Sequence, residues 1–222
     1  MSFRRSYSPE IMDDFTINDE RIDSALKELK VINKFLGGNN VSQKGIRLLD
    51  PELNRINILD VGAGASDILL KLKSNTNHLD IFSLDINPRA CFYTKANSPE
   101  IKIACGDVRY LPFKNRVDII HASLFFHHFH EDEIIKIISG LLNLCSRGIV
   151  INDLRRSVFA WLGIIILTSL FSKSDMVKND GPLSVKRGFI KSDLTKILDA
   201  VSPGKYVIRR KWAFRWMVVI YK

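Results

Sequence analysis

Hydrophobic positions recur along this chain in two rhythms. Residues 19–36 place Ile22, Leu26, Leu29, Ile32 and Leu36 three or four apart. That is the spacing of one helix face, and Asp19 and Glu20 suit its first turn. The run Gly37-Gly38-Asn39-Asn40 predicts the end of that helix, and residues 46–49 predict a short lead-in segment. From residue 56 onward, compact apolar runs alternate with helical patterns. Strands are expected over 56–61, 79–85, 101–105, 117–122 and 148–153, and helices over 66–73, 88–96 and 131–144. Apolar strands separated by helices imply a parallel sheet covered on both faces. The end of the chain differs. Residues 205–211 and 214–221 are β-rich with a very short connection, which permits only an antiparallel hairpin. The expected fold is therefore α/β, a doubly wound sheet that is mostly parallel and closes with an antiparallel pair.

Between the fifth strand and the hairpin lies an eleven-residue run without charge, residues 161–171. As a helix it would be roughly 16 Å long, about half the hydrocarbon thickness of a bilayer, so it does not cross a membrane. Three readings stay open: an internal helix of a substrate lid, the lining of an apolar acceptor pocket, or a helix dipping into a membrane surface between Arg155, Arg156 and Lys173. Farther on, residues 178–189 contain a Gly-Pro pair that predicts a turn carrying the chain back toward the site. Residues 191–200 read as the last helix, with Ser192 as its cap.

Composition changes this picture little, charge rather more. At 222 residues the chain can bury a substantial core as one domain. Residues 1–153 hold 19 Lys/Arg against 20 Asp/Glu, whereas residues 154–222 hold 14 against 4, so the net charge of +9 belongs to the last third. Such a face is a solvated one or meets an anionic partner. Cys91, Cys105 and Cys145 are odd in number and lack metal-ligand spacing. They suggest neither a disulfide framework nor a zinc site, and a reducing, cytoplasmic setting is expected. The opening residues are basic without an apolar run behind them, which argues against a secretory signal.

The chemistry sits at the strand ends. In ILDVGAGASD, residues 58–67, Gly62 and Gly64 occupy the first strand-to-helix turn. A dinucleotide fingerprint would need a third glycine where Asp67 stands, so a nicotinamide cofactor is disfavoured, and no Walker lysine follows. Asp85 ends the second strand about 20 residues on, where a carboxylate can take both hydroxyls of a ribose. Asp107, with the Val108 backbone, follows the third strand and could meet an adenine.

Taken together, LDVGAGASD, SLDINP, CGDVRYLPF and VDIIHASLFFHHF resemble class I S-adenosylmethionine-dependent methyltransferases, nearest the ubiquinone/menaquinone methyltransferase-like branch of small-molecule enzymes. The resemblance covers roughly residues 56–154 and the terminal hairpin. It implies a Rossmann-like, seven-stranded sheet. Residues 1–40 would be a helical cap, and residues 41–222 the methyltransferase domain with an apolar insertion at 155–190. It also implies S-adenosyl-L-methionine as cofactor. Asp60, Gly62, Ala63 and Gly64 would surround its methionine part, Asp85 and Ile86 its ribose, and Asp107 and Val108 its adenine, with Ser123 near the reacting end. Ser66 stands where that family usually has a third small residue, and it could cap the following helix.

His127 and His128 are the candidate bases, because they follow the fourth strand and titrate in the useful range. No metal is expected, since HHFH lacks the spacing of a metal site. Asp153 and Arg155 should reach the rim. An N-terminal segment with Arg4, Arg5, Tyr7, Met12 and Asp13 could cover the cofactor, with a Tyr or Arg on the methionine carboxylate. The expected partner is a small, apolar acceptor, with peripheral membrane contact left open. Methylation of RNA or protein by the basic last third is the alternative, as is a non-catalytic binding module. Against RNA, the region carries no recognition signature, and Trp212, Phe214 and Trp216 alternate as sheet residues do.

Overall fold

A computed structural model describes residues 3–53, 55–74, 78–111 and 116–222. The start of the N-terminal segment and Pro112-Phe113 of CGDVRYLPF lie outside those residues. In chain order the elements are α1 (Glu20–Phe35), α2 (Gly38–Leu49), β1 (Ile56–Val61), α3 (Asp67–Lys73), β2 (Leu79–Asp85), α4 (Pro88–Asn97), β3 (Lys102–Cys105), β4 (Val117–Ser123) and α5 (Glu131–Leu144). There follow β5 (Cys145–Leu154), α6 (Val158–Phe171), α7 (Asp175–Arg187), α8 (Lys191–Val201), β6 (Lys205–Lys211) and β7 (Arg215–Tyr221). The strand order is β3-β2-β1-β4-β5-β7-β6. The first five strands run parallel, and β7 pairs antiparallel with both β5 and β6. This is the doubly wound, seven-stranded sheet with a closing hairpin that the pattern of apolar runs implies.

Alternation along the strands divides the core. Leu59, Val61, Ile120, Ala122, Ile149 and Ile151 face α5 and α8. Ile56, Ile58, Ile81, Ile119 and Val150 face the other way, toward α2 and α3. The order of strands reverses between β1 and β4, so the crevice beyond their carboxyl ends is where a ligand belongs in such a sheet.

Four local expectations need correction. The glycine run ends α1, but Gly37, at φ +71°, only turns a corner. Helix α2 starts at once at Gly38, and residues 46–49 are its last residues rather than a separate segment. Gly181-Pro182 lies inside α7 instead of forming a turn. Pro182 has no N–H to return to the preceding turn, yet α7 is held by packing on α6. A side chain at Gly181 would come within 3.2 Å of Ile164, so the close approach uses the glycine. Helix α8 begins after Ile190, whose N–H is taken by the carboxylate of Asp193, and Ser192 is simply a first-turn residue.

The apolar run is also not internal. Only Ala160 and Thr168 of α6 are buried, while Phe159, Leu162, Ile166, Leu170 and Phe171 are exposed. No helix among the described residues is long and apolar enough to cross a membrane.

Candidate active site

A cavity of about 530 Å³ opens beyond the carboxyl ends of β1, β2 and β4. The turn after β1 forms part of its wall. Gly62 there has φ +62° and Gly64 φ +50°, a region that favours glycine. A Cβ on Gly62 would fall 2.0 Å from the Phe125 ring, so that position admits no side chain. Asp85 fastens this turn from the neighbouring strand. One of its oxygens accepts the Gly64 N–H at 2.7 Å, the other the Asn87 N–H at 2.9 Å. Burial pushes its carboxyl above the ordinary range, partly offset by those two hydrogen bonds. Each oxygen keeps a second lone pair for a ligand.

Gly62, Ala63, Gly64, Asp85, Ile86, Asp107, Val108 and Ser123 all line the cavity. The Ser123 hydroxyl oxygen is buried with no hydrogen-bond partner among the described residues. A buried hydroxyl left unpaired costs stability, which fits a group meant to meet a bound ligand. Asp107 is engaged by Arg109 at 2.6 Å, and this hydrogen bond holds its carboxyl below the usual range. The residue types and their convergence fit an adenosyl-methionine group: a glycine turn, a carboxylate with spare lone pairs and an orphaned hydroxyl.

Three residues depart from expectation. Asp60 does not line the cavity. It is 3% exposed and lies 2.7 Å from Nδ1 of His121, whose Nε2 meets the Ser42 hydroxyl at 2.7 Å. Ser66 does not cap α3. Its φ is +49°, and its hydroxyl pairs with that of Ser83 at 2.7 Å, beneath the turn. Arg155 is also off the cavity, with its guanidinium 4.8 Å from the Phe214 ring.

The histidines form the most heavily charged part of the wall. His127 is buried, and its Nδ1 lies 2.7 Å from Asp153. Its Nε2 lies 3.5 Å from Glu10. Burial opposes a charge on the ring, but the Asp153 and Glu10 carboxylates outweigh it and raise the imidazole to about 9. Both acids answer in kind: burial raises them, yet the histidines pull each below its ordinary value. His128 is partly exposed and meets Asp13 at 2.7 Å. Glu10, His127 and His128 bring one ligating atom apiece within 4.8 Å of the others, among the described residues the grouping with metal-binding geometry. The Arg187 guanidinium already stands 3.8 Å from Glu10 as its counter-charge.

Arg187 and Asp180 of α7 explain how this wall is assembled. Arg187 donates to the carbonyls of Ser8, His127 and His128 and to the Asp13 carboxylate. Asp180 accepts the N–H groups of Ile11 and Met12 at 2.8 and 3.0 Å. The N-terminal segment is thus pinned across the cavity. Tyr7, Met12 and Asp13 line the cavity, while Arg5 spends its donors on the Arg187 and Phe129 carbonyls. Sequence reading missed Glu10, Arg187 and Asp180. The nearest signal was the acid-rich stretch Glu10–Asp14, ahead of a helix it does not belong to.

Residues 58–148 match the family model described as a methyltransferase domain. That stretch holds the glycine turn, Asp85, Asp107, Ser123 and both histidines. No curated protein matches the sequence. Solved structures with the same fold include the plantazolicin methyltransferase BpumL in complex with SAH. It is 14% identical, with a TM-score of 0.69, over 96% of this chain and 98% of that one. Human N-acetylserotonin methyltransferase in complex with SAM is 13% identical, with a TM-score of 0.70, over 99% of this chain. The match spans only 63% of that longer human protein. Magnesium protoporphyrin IX methyltransferase from Synechocystis PCC 6803 with bound SAM is 14% identical, with a TM-score of 0.61, over 97% of this chain and all of that one. This chain thus shares its fold with those proteins, each solved with SAM or SAH.

One consequence of the turn geometry is measurable. Asp85→Ala removes a buried hydrogen-bonding anion and should weaken S-adenosylmethionine binding by about 1–3 kcal/mol, roughly 5- to 150-fold. Calorimetric titration of the variant checks this, and an unchanged affinity would remove Asp85 from the ribose.

Proposed function

We propose that this protein transfers a methyl group from S-adenosylmethionine to a small, apolar acceptor that is aromatic or polyketide-like. One observation carries the reading: the glycine turn, Asp85, Asp107 and the unpaired Ser123 hydroxyl share a single cavity wall with His127, which Asp153 backs from beneath without lining the cavity itself. By motif it lies nearest the ubiquinone/menaquinone branch. The structural neighbours named for plantazolicin, N-acetylserotonin and magnesium protoporphyrin IX support a small-molecule acceptor over RNA or protein.

When bound, S-adenosylmethionine supplies an electrophilic methyl group on a sulfonium, open to in-line displacement. The chain's own contribution is positioning, water exclusion and custody of one proton. Backbone at Gly62, Ala63 and Gly64 accommodates the methionine part. Asp85 accepts from the ribose hydroxyls beside Ile86, Asp107 and Val108 border the adenine, and Ser123 turns its hydroxyl toward the ligand. His127 takes the acceptor's proton at Nε2, while Asp153 holds the Nδ1 proton and fixes the tautomer. Glu10, which faces Nε2, must yield that position to the acceptor. His128, paired with Asp13, is the second candidate for the same task.

Residues 1–40 act as a cap, pinned by α7, over a catalytic domain of residues 41–222 with its insertion at 155–190. All three cysteines are free thiols, in keeping with the cytoplasm as its compartment. Incubation with methyl-tritiated S-adenosylmethionine and a cell extract, followed by solvent partition, tests the acceptor class. Label in the organic phase is expected, and label confined to aqueous polymer would contradict it.

A further inference from the structure

The outer face of α6 has no role in the cavity. None of its residues lines that space. Its exposed side chains Phe159, Leu162, Ile166 and Leu170 are three or four residues apart, so they form one stripe along a helix of fourteen uncharged residues. Phe159 is 70%, Ile166 59% and Leu170 69% exposed. Phe171, 76% exposed, adds a further apolar side chain at the helix end, beside the stripe rather than on it. Stranded apolar side chains on this scale mark a contact surface.

Cations frame the stripe. At the start of α6, Lys186 lies 4.8 Å from the Trp161 ring, and Arg155 stands three residues before the helix. The N–H of Arg155 donates to Phe214 O at 2.7 Å, which brings the β6–β7 turn alongside. The end of β6 carries Arg210 and Lys211, and the turn itself carries the 78% exposed Trp212. Arg210 is close enough to Arg155 to help depress its guanidinium, second to burial. Lys173 follows the other end of α6. Of the acids nearby, Glu28 accepts from the Ser172 hydroxyl and from the backbone N–H groups of Lys173 and Ser174, and Asp175 faces Lys178.

We propose that α6 docks this protein in plane on an anionic lipid surface, with the stripe among the acyl chains and the flanking cations at the headgroups. An apolar helix too short to span, with cations beyond both ends and an aromatic beside it, offers a lipid surface apolar area to bury and cations for its headgroups. A second copy of this chain is the poorer occupant. A two-fold contact through the stripe would set each flanking cation against its counterpart. Docking in this way also serves an apolar acceptor. Helix α7 packs on the inner side of α6 and lines the cavity with Asp180, Ser184 and Arg187, so one helix separates lipid from site. The inference goes beyond the methyl-transfer reading and does not depend on it.

Co-sedimentation of the full chain with vesicles tests it. Phosphatidylcholine vesicles carrying about a quarter phosphatidylglycerol should bind the protein at least about tenfold more tightly than phosphatidylcholine alone, and high salt should reverse the difference. The double variant Ile166→Asp and Leu170→Asp should lose at least about tenfold in vesicle binding. Its melting temperature and its S-adenosylmethionine binding in vesicle-free buffer should not change. A wild-type protein left in the supernatant, or a double variant that sediments as before, would overturn the proposal. So would a wild-type dimer in light scattering that the double variant abolishes, because the stripe would then belong to a second copy. Failure of cofactor binding in the vesicle-free arm would count against the catalytic reading alone.

Discussion

His127→Asn is expected to lower kcat by about 10²–10⁴-fold while leaving S-adenosylmethionine affinity nearly unchanged. The carboxamide N–H of asparagine can stand in for the Nδ1–H and keep Asp153 satisfied, and Arg187 stays beside Glu10 as its counter-charge, so the substitution removes the proton acceptor while both buried acids keep a partner. The pH profile gives the sharper readout. The imidazole is raised to about 9 and must be neutral to accept a proton, so the wild-type rate should climb with pH, reach half its maximum near 9 and level off above it. The variant's residual rate should lack that limb. Stability moves the other way. A histidine raised from about 6.5 contributes stability that is fully present below 6.5 and is lost as pH rises through about 9. Thermal melting across that window should therefore fall as the rate climbs. A variant with wild-type kcat and an unchanged profile would leave His127 a structural residue and move attention to His128.

Asp60→Ala should act on stability before it acts on the cofactor. Asp60 and His121 are a cross-strand pair of β1 and β4, both buried, with Ser42 of α2 closing the chain of hydrogen bonds. Removing one member of a buried charged or hydrogen-bonded pair costs about 3–5 kcal/mol. For a chain of this size each kcal/mol is worth roughly 2–4 °C, so melting should drop by about 6–20 °C. Asp60→Asn, which can still accept from the ring, should recover most of this and bind S-adenosylmethionine normally. The family resemblance implies a different result, a direct contact with the methionine part. Wild-type melting with lost affinity in the asparagine variant would favour that contact over the buried network.

These two residues show what was legible in the sequence. Strands were readable because parallel strands covered on both faces are apolar runs, and the hairpin because its connection is too short for anything else. Gly62, Gly64, Asp85, Asp107 and Ser123 were readable because each follows a strand end, and strand ends converge by topology. Asp60 has the right type and place for a ligand contact. What turns it inward is His121, opposite it on a neighbouring strand, and sequence spacing carries no such information. Glu10 and Arg187 meet only when the two ends of the chain fold over the same cavity, so no local pattern announces them. Pro182 misled because turn propensity is a local preference, whereas α7 is fixed by packing on α6. The exposure of α6 was hidden for the opposite reason. An uncharged run looks alike whether it faces a core, a pocket or a membrane.

The central claim is that the cavity at the β1–β4 switch point holds one S-adenosylmethionine. Calorimetric titration of the purified chain with that compound tests it most directly. Saturable heat with one ligand per chain is the result this structure predicts. Heats that match dilution into buffer, from well-folded protein at high concentration, would contradict it.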